Sequence, residues 1–279
     1  MATWRPTVAQ PLAGTVSRVE ATERFAELVS QPPSEVPLDQ AALWLAAHAR
    51  PDLDVAGELG RLDDLAAGCA GTTVEALMTY LFVELGYRGN ARDYYDPRNS
   101  YLDQVRARHL GIPITLSILA IVVGRRLDLS LQGVGMPGHF LVRDQRNASV
   151  FVDPFGGGTL LDLAGCEAIF HALHGAETRF DEAFLTPVST LTVLARMLAN
   201  LRSVFLSRGD RQSLLWVLQL RTLLPDSSAE DRADFAAGLA SLGRFDAAAN
   251  EYDVAADRFG GSLGAELRRN ALRLRARLN

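Results

Sequence analysis

The sequence predicts an α+β protein with a helical first third, a small antiparallel sheet in the middle and an all-helical last third. Three observations predict it. Between Leu38 and Gly86 apolar residues recur at helical spacing: Leu43, Leu45 and Ala46, then Leu59, Leu62 and Leu65, then Val74, Leu77 and Leu81. Leu131 to Gly135, Phe140 to Arg143 and Val150 to Asp153 are short apolar runs separated by polar turns, which is the pattern of strands. From Thr190 onward, helical stretches alternate with short turns at Gly209, Pro225 and Gly243.

Taken in order, residues 1–34 form a polar lead-in around one helical stretch, Val19 to Val29. Residues 35–185 form the main domain. Asp39, Asp52 and Thr72 or Thr73 are expected N-caps there, because a short polar side chain satisfies free N–H groups at a helix start, and Gly86 is an expected C-cap. Arg88 to Asn99 is rich in Gly, Asn, Asp and Pro and is expected to be a long ordered loop. The stretch from Pro113 to Leu127 starts with proline at its first helical position and is apolar on nearly every face, so it is expected to be a helix buried on most sides. Residues 186–279 are helical: Leu191–Leu206, Gln212–Leu223, Ala229–Leu242 and Phe245–Arg258. LGRFDAAANEYDVAADRF has the small-residue spacing of a tetratricopeptide helix, where alanine lets paired helices approach closely. At most two such units fit and three are normally needed for an independent solenoid, so the tail is expected to pack on the main domain. The cations from Arg268 to Arg277 suit a helix C-terminus.

Composition excludes several functions. The 279 residues, 48% of them hydrophobic, suffice for a proper core. Met1 to Gln10 lacks the basic-then-apolar layout of a signal peptide, and the most apolar run, Ile112 to Val123, is too short and too interrupted for a membrane span. Two cysteines, Cys69 and Cys166, make no disulfide framework, so a reduced cytoplasmic setting is expected. The net charge of -5 gives no general attraction to nucleic acid or anionic lipid, so neither partner is expected. Residues 181–279 hold 13 Arg against 12 acids, leaving 15 Arg against 21 acids in residues 1–180. The absence of lysine excludes Schiff-base chemistry and a phosphate-loop lysine.

Four motifs follow one another: DYYDPRNSYLDQV, GIPITLS, GVGMPGHFLVR and VDPFGGG. Together they resemble the SirB family of bacterial transglutaminase-like proteins, and the helices from Leu191 resemble that family's tetratricopeptide region. The resemblance covers roughly residues 35–260. It implies a papain/transglutaminase-type core, with helices packed on a small antiparallel sheet, followed by helical repeats, and it implies no activity. In such a site a cysteine at the start of the central helix attacks an amide carbonyl, a histidine accepts its proton and an aspartate holds the histidine. By resemblance, His139 and Asp153 stand at the histidine and aspartate positions, on neighbouring strands.

The cysteine position falls around Pro113 to Ser117, where no thiol occurs. Pro113 also lacks an N–H and so removes one oxyanion donor. Thr115 and Ser117 carry hydroxyls, but an alkoxide is far harder to generate than a thiolate, and Ser117 lies roughly 6 Å beyond Pro113 along the axis. Cys166 follows the aspartate strand and is read either as a thiolate favoured by a helix start or as a small buried hydrophobe. In the polar loop, Tyr94, Tyr95, Asp96, Arg98, Asn99 and Tyr101 either line a cleft or cap turns and cover the core edge. With Pro137 and Gly138, the residues Tyr95, Arg98, Asn99 and Tyr101 make the candidate binding set.

Two further patterns lead nowhere. Gly133, Gly135 and Gly138 spell a dinucleotide fingerprint but precede a strand, so no helix N-terminus is available for a pyrophosphate, and their expected role is a tight turn beside Pro137. Cys166, His171 and His174 have no zinc-type spacing, and neither a metal nor a cofactor is expected. The expected function is a non-catalytic interaction or regulatory module that engages a protein partner through the helical tail. The alternative is an amidase, protease or acyltransferase using His139 and Asp153 with Ser117, Thr115 or Cys166 as nucleophile.

Overall fold

A computed structural model of the chain describes residues 16–277. The first part of the expected lead-in and the whole Met1 to Gln10 stretch lie outside them. Helix α1 (Arg18–Val29) is capped by Ser17, whose side chain accepts from the Glu20 N–H, and it buries Ala21, Phe25 and Val29. Helix α2 (Leu38–Ala47) begins after Pro37 without a side-chain cap. Asp39 is therefore no cap. It sits in the first turn of α2 and receives Nη1 of Arg126 at 2.9 Å. Helix α3 (Val55–Ala67) is capped by Asp54, two residues beyond the expected Asp52, and α4 (Val74–Met78) by Thr73. A π-helical turn, Thr79–Glu84, extends α4, and Gly86 follows it at φ +71°.

The polar loop holds a short 3-10 turn, Pro97–Ser100, and leads into α5 (Leu102–Arg108). Two short strands, β1 (Arg88–Gly89) and β2 (Leu110–Gly111), pair in parallel. Helix α6 (Pro113–Arg126) is buried at every position from Pro113 to Gly124. Its uniform apolar surface requires this, because each fully buried Leu or Ile contributes roughly 1.5–3 kcal/mol only when covered on all sides. Arg126 closes its far end against Asp39 on α2 and Asp63 on α3, the latter at 2.6 Å.

The sheet is antiparallel in the order β3 (Leu131–Val134), β4 (Leu141–Asp144), β5 (Phe151–Asp153) and β6 (Thr159–Leu161). Three strands fall within a residue of their expected bounds; β6 is additional. Helix α7 (Leu163–His174) follows, capped by Asp162. The remaining helices are α8 (Thr190–Arg208), α9 (Arg211–Leu223), α10 (Ala229–Ser241), α11 (Phe245–Phe259) and α12 (Gly261–Arg275).

One apolar cluster runs from Ala21 of α1 through the apolar residues Ile114 to Val123 of α6 to Leu194, Leu198 and Leu220 of α8 and α9. The first two helices of the C-terminal region therefore share the main core. Trp216 of α9 stacks on His48, which caps α2, with ring centroids 5.3 Å apart. Farther on, Ala248, Ala249, Ala255 and Ala256 are fully buried, and a Cβ at Gly264 would lie 2.8 Å from the Ala256 carbonyl oxygen, so α11 and α12 approach closely. No described helix is long and apolar enough to cross a membrane.

Candidate functional site

The geometry starts from the turn between β3 and β4. Val188 N–H donates to the Gly133 carbonyl at 2.9 Å, tying the start of α8 to β3. This registry brings Arg196 of α8 over the GVGMPGHF segment. Gly133 leaves room for the Phe140 ring, since a Cβ there would meet it at 2.7 Å, and a Cβ at Gly135 would collide with Nη1 of Arg196. Of the three glycines, Gly138 alone takes a positive φ, +73°. The expected tight turn thus belongs to Gly138, whereas Gly133 and Gly135 admit side chains arriving from elsewhere.

His139 and Asp153 meet as partners. Nε2 of His139 lies 2.9 Å from Oδ1 of Asp153, and both residues are 8% exposed. The same Oδ1 accepts the Phe155 N–H at 3.0 Å. A Cβ at Gly156 would sit 2.6 Å from Oδ2, so VDPFGGG wraps backbone around the carboxylate as only glycine permits. The Phe155 ring meets the imidazole edge-to-face at 6.1 Å and Tyr94 at 6.4 Å. Asp153 orients the ring, and Nδ1 is left without a hydrogen-bond partner among the described residues.

Among the described residues none of the three candidate nucleophiles is hydrogen-bonded to His139. Thr115 donates to the Asn99 carbonyl at 2.6 Å and accepts the Ile112 N–H at 3.1 Å, so its hydroxyl caps α6 and anchors the polar loop. Ser117 is fully buried with its hydroxyl 3.4 Å from the Phe140 carbonyl oxygen. Cys166 is fully buried in a second apolar cluster with Val134, Met136, Phe151 and Phe170. Burial, with Asp162 and Asp153 nearby, pushes its thiol up to about 11, so it stays protonated near neutrality.

The expected binding set divides. Asn99 is fully buried, accepts from Asn90 Nδ2 at 3.1 Å and donates to the carbonyls of Asp93 and Tyr94. Tyr101 is buried at the start of α5, and burial raises its phenol well above the ordinary value. Tyr95 and Arg98 face solvent, and Arg98 pairs with Asp96 at 2.7 Å. Pro137 is half-buried, and its carbonyl oxygen lies 3.0 Å from Nε2 of His174. Gly138 alone of the six lines the cleft onto which His139 opens.

That cleft measures about 250 Å³ and is walled by Tyr94, the α6 start at Pro113 and Ile114, the turn Gly138 to Phe140, and Arg196 with Asn200 from α8. A larger cleft of about 690 Å³ lies between Phe151 and α7 and touches neither dyad residue. Arg196 and Asn200 carry no local sequence signal, being ordinary polar positions on an amphipathic helix. Nη2 of Arg196 donates to the carbonyls of Met136 at 3.3 Å and His139 at 3.1 Å, and its guanidinium lies 5.1 Å from the Phe140 ring centre. Burial lowers Arg196 from the ordinary guanidinium value and raises the Tyr94 phenol, each partly offset by the other.

Residues 38–199 match the family model of the transglutaminase-like superfamily. A UPF0162 protein of Xylella fastidiosa (strain 9a5c) is 41% identical over 192 residues, 63% of this chain and 68% of its own. A UPF0162 protein of Pseudomonas aeruginosa is 30% identical over 192 residues, 66% of this chain and 69% of its own. F-box only protein 21 of Mus musculus is 33% identical over 154 residues, half of this chain but 23% of that protein. No solved structure matches the chain.

Proposed function

This chain belongs to the transglutaminase-like superfamily, among the UPF0162 proteins, and from that premise we propose that it is a non-catalytic binding module. It keeps the oriented imidazole of an acyl-transfer site but presents no attacking atom to it. One observation carries the reading. Where the cleft meets the start of α6, the lining residues are Pro113 and Ile114, and the single hydroxyl among the described lining residues is the Tyr94 phenol. A phenol raised by burial is a poor nucleophile at neutral pH. The engagement of Thr115, Ser117 and Cys166 in capping, in a backbone contact and in the core supports the same reading.

The C-terminal helices, in a SirB-type tetratricopeptide arrangement, are the surface that meets a protein partner, in a cytoplasmic setting. The match to 23% of F-box only protein 21 fits a domain used as one part of larger proteins. Amide hydrolysis and acyl transfer from glutamine peptides, compared between the wild-type chain and His139→Ala, test the proposal: both are expected at the buffer rate. A turnover lost in His139→Ala would end it. The second reading, an amidase or acyltransferase with a non-standard nucleophile, draws on the 2.9 Å contact of His139 with Asp153, which sets the imidazole as a general base.

A further inference from the structure

We propose that the cleft beside His139 binds a carboxylate, with Arg196 as its counter-charge and Asn200 and Tyr94 as hydrogen-bonding partners. The inference rests on the binding-module reading and names the chemical class of the ligand.

Arg196 is the central observation. A guanidinium offers five N–H donors. Here, among the described residues, Nη2 donates to two backbone carbonyls, whereas Nε and Nη1 have no acceptor and the side chain forms no ion pair. It is half-buried against the Phe140 ring, and none of the residues lining the cleft is acidic. Several other part-buried arginines of this chain are neutralised, Arg106 by Glu58 at 2.8 Å, Arg126 by Asp39 and Asp63, and Arg202 by Asp234, whereas Arg143 lies over the Phe151 ring with a backbone acceptor only. A cation partly withdrawn from water without an anion is costly, and an incoming anion offsets part of that cost.

The surrounding groups select the anion. Asn200 lies one helical turn beyond Arg196 and lines the same cleft, as does the Tyr94 phenol. The start of α6 at Pro113 and Ile114 adds the positive end of a helix dipole to the same cleft. Pro113, Ile114 and Phe140 supply apolar contact for the part of the ligand next to its charged end. One guanidinium balances a single negative charge, which fits a carboxylate better than a doubly charged phosphate. A space of about 250 Å³ admits a small acid or the last residue of a peptide.

Titration of the isotopically labelled full chain, followed by amide NMR, tests this with N-acetylalanine, the isosteric N-acetylalaninamide and inorganic phosphate. N-acetylalanine is expected to saturate, with shifts at Gly138 and Asn200, while the amide gives none. Arg196→Gln is expected to weaken binding about ten- to a hundredfold, the loss of one charge-assisted contact. Should that variant fail to fold, Asn200→Leu removes a ligand contact without disturbing the Arg196 backbone bonds and is expected to weaken binding several-fold. Tighter binding of a longer N-acetylated peptide acid assigns a peptide terminus, and equal binding assigns a free small acid. Saturation by the amide as well as the acid, wild-type affinity in both variants, or saturation by phosphate alone would overturn the assignment. A His139-dependent turnover would end the non-catalytic reading whatever this titration gives.

Discussion

Nη2 of Arg196 lies 3.1 Å from the carbonyl oxygen of His139, so helix α8 fixes the turn that carries the imidazole from 57 residues away. The candidate site is therefore built jointly by the sheet and the first C-terminal helix. Arg196→Ala removes that bond, the bond to Met136 and the stacking on Phe140, and is expected to cost about 1–3 kcal/mol in urea unfolding. Loss of protection at the His139 amide in hydrogen exchange, beyond any global loss, would show the turn loosening.

Asp153 accepts from both the His139 imidazole and the Phe155 amide. Asp153→Ala leaves one buried and one part-buried donor without an acceptor and is expected to destabilise by roughly 2–4 kcal/mol. Asp153→Asn keeps an acceptor oxygen and is expected to cost less than half as much. Equal losses in chemical unfolding would mean that the two bonds contribute little.

Thr115→Val keeps the shape of the side chain and deletes the hydroxyl shared by Asn99 and Ile112. A loss of about 1–3 kcal/mol is expected, with faster amide exchange in the polar loop. A change below roughly 0.5 kcal/mol, within the range of an ordinary surface substitution, would contradict the anchoring role.

His48 gives the stability a defined pH dependence. Burial against Trp216 lowers its imidazole from the ordinary 6.5 to about 4. Between those values the unfolded chain binds the proton and the folded chain does not. The neutral imidazole's contribution is therefore complete above about pH 6.5 and is lost as pH falls toward 4, a loss on the order of 3 kcal/mol. The stability difference between the wild type and His48→Gln, measured by urea unfolding at pH 7 and pH 4.5, is expected to shrink at the lower pH. A constant difference would contradict the burial of a neutral ring.

Helix α6 and the β3–β5 strands were legible because a proline start, apolar residues on every face and alternation between polar turns are local patterns. The partnership of His139 with Asp153 came from motif order. Strand β6 was not legible: Thr159 and Leu160 are exposed and Leu161 only partly buried, so its place depends on pairing with β5 rather than on an apolar face. Asp39 looked like a cap because its sequence context cannot show Arg126 arriving from 87 residues away. Arg196 was hidden for the same reason. Its role depends on the absence of a side chain at Gly135 and on the joining of α8 to β3, neither of which leaves a local pattern.

The central claim, an oriented imidazole without a nucleophile, is tested most directly by the intact mass of the native chain after incubation with an electrophilic amide probe. Peptide mapping then locates any label. The expected result is no adduct at Thr115, Ser117 or Cys166 under native conditions, with Cys166 labelled by a general thiol reagent only after unfolding. An adduct on any of the three that disappears in His139→Ala would contradict the account.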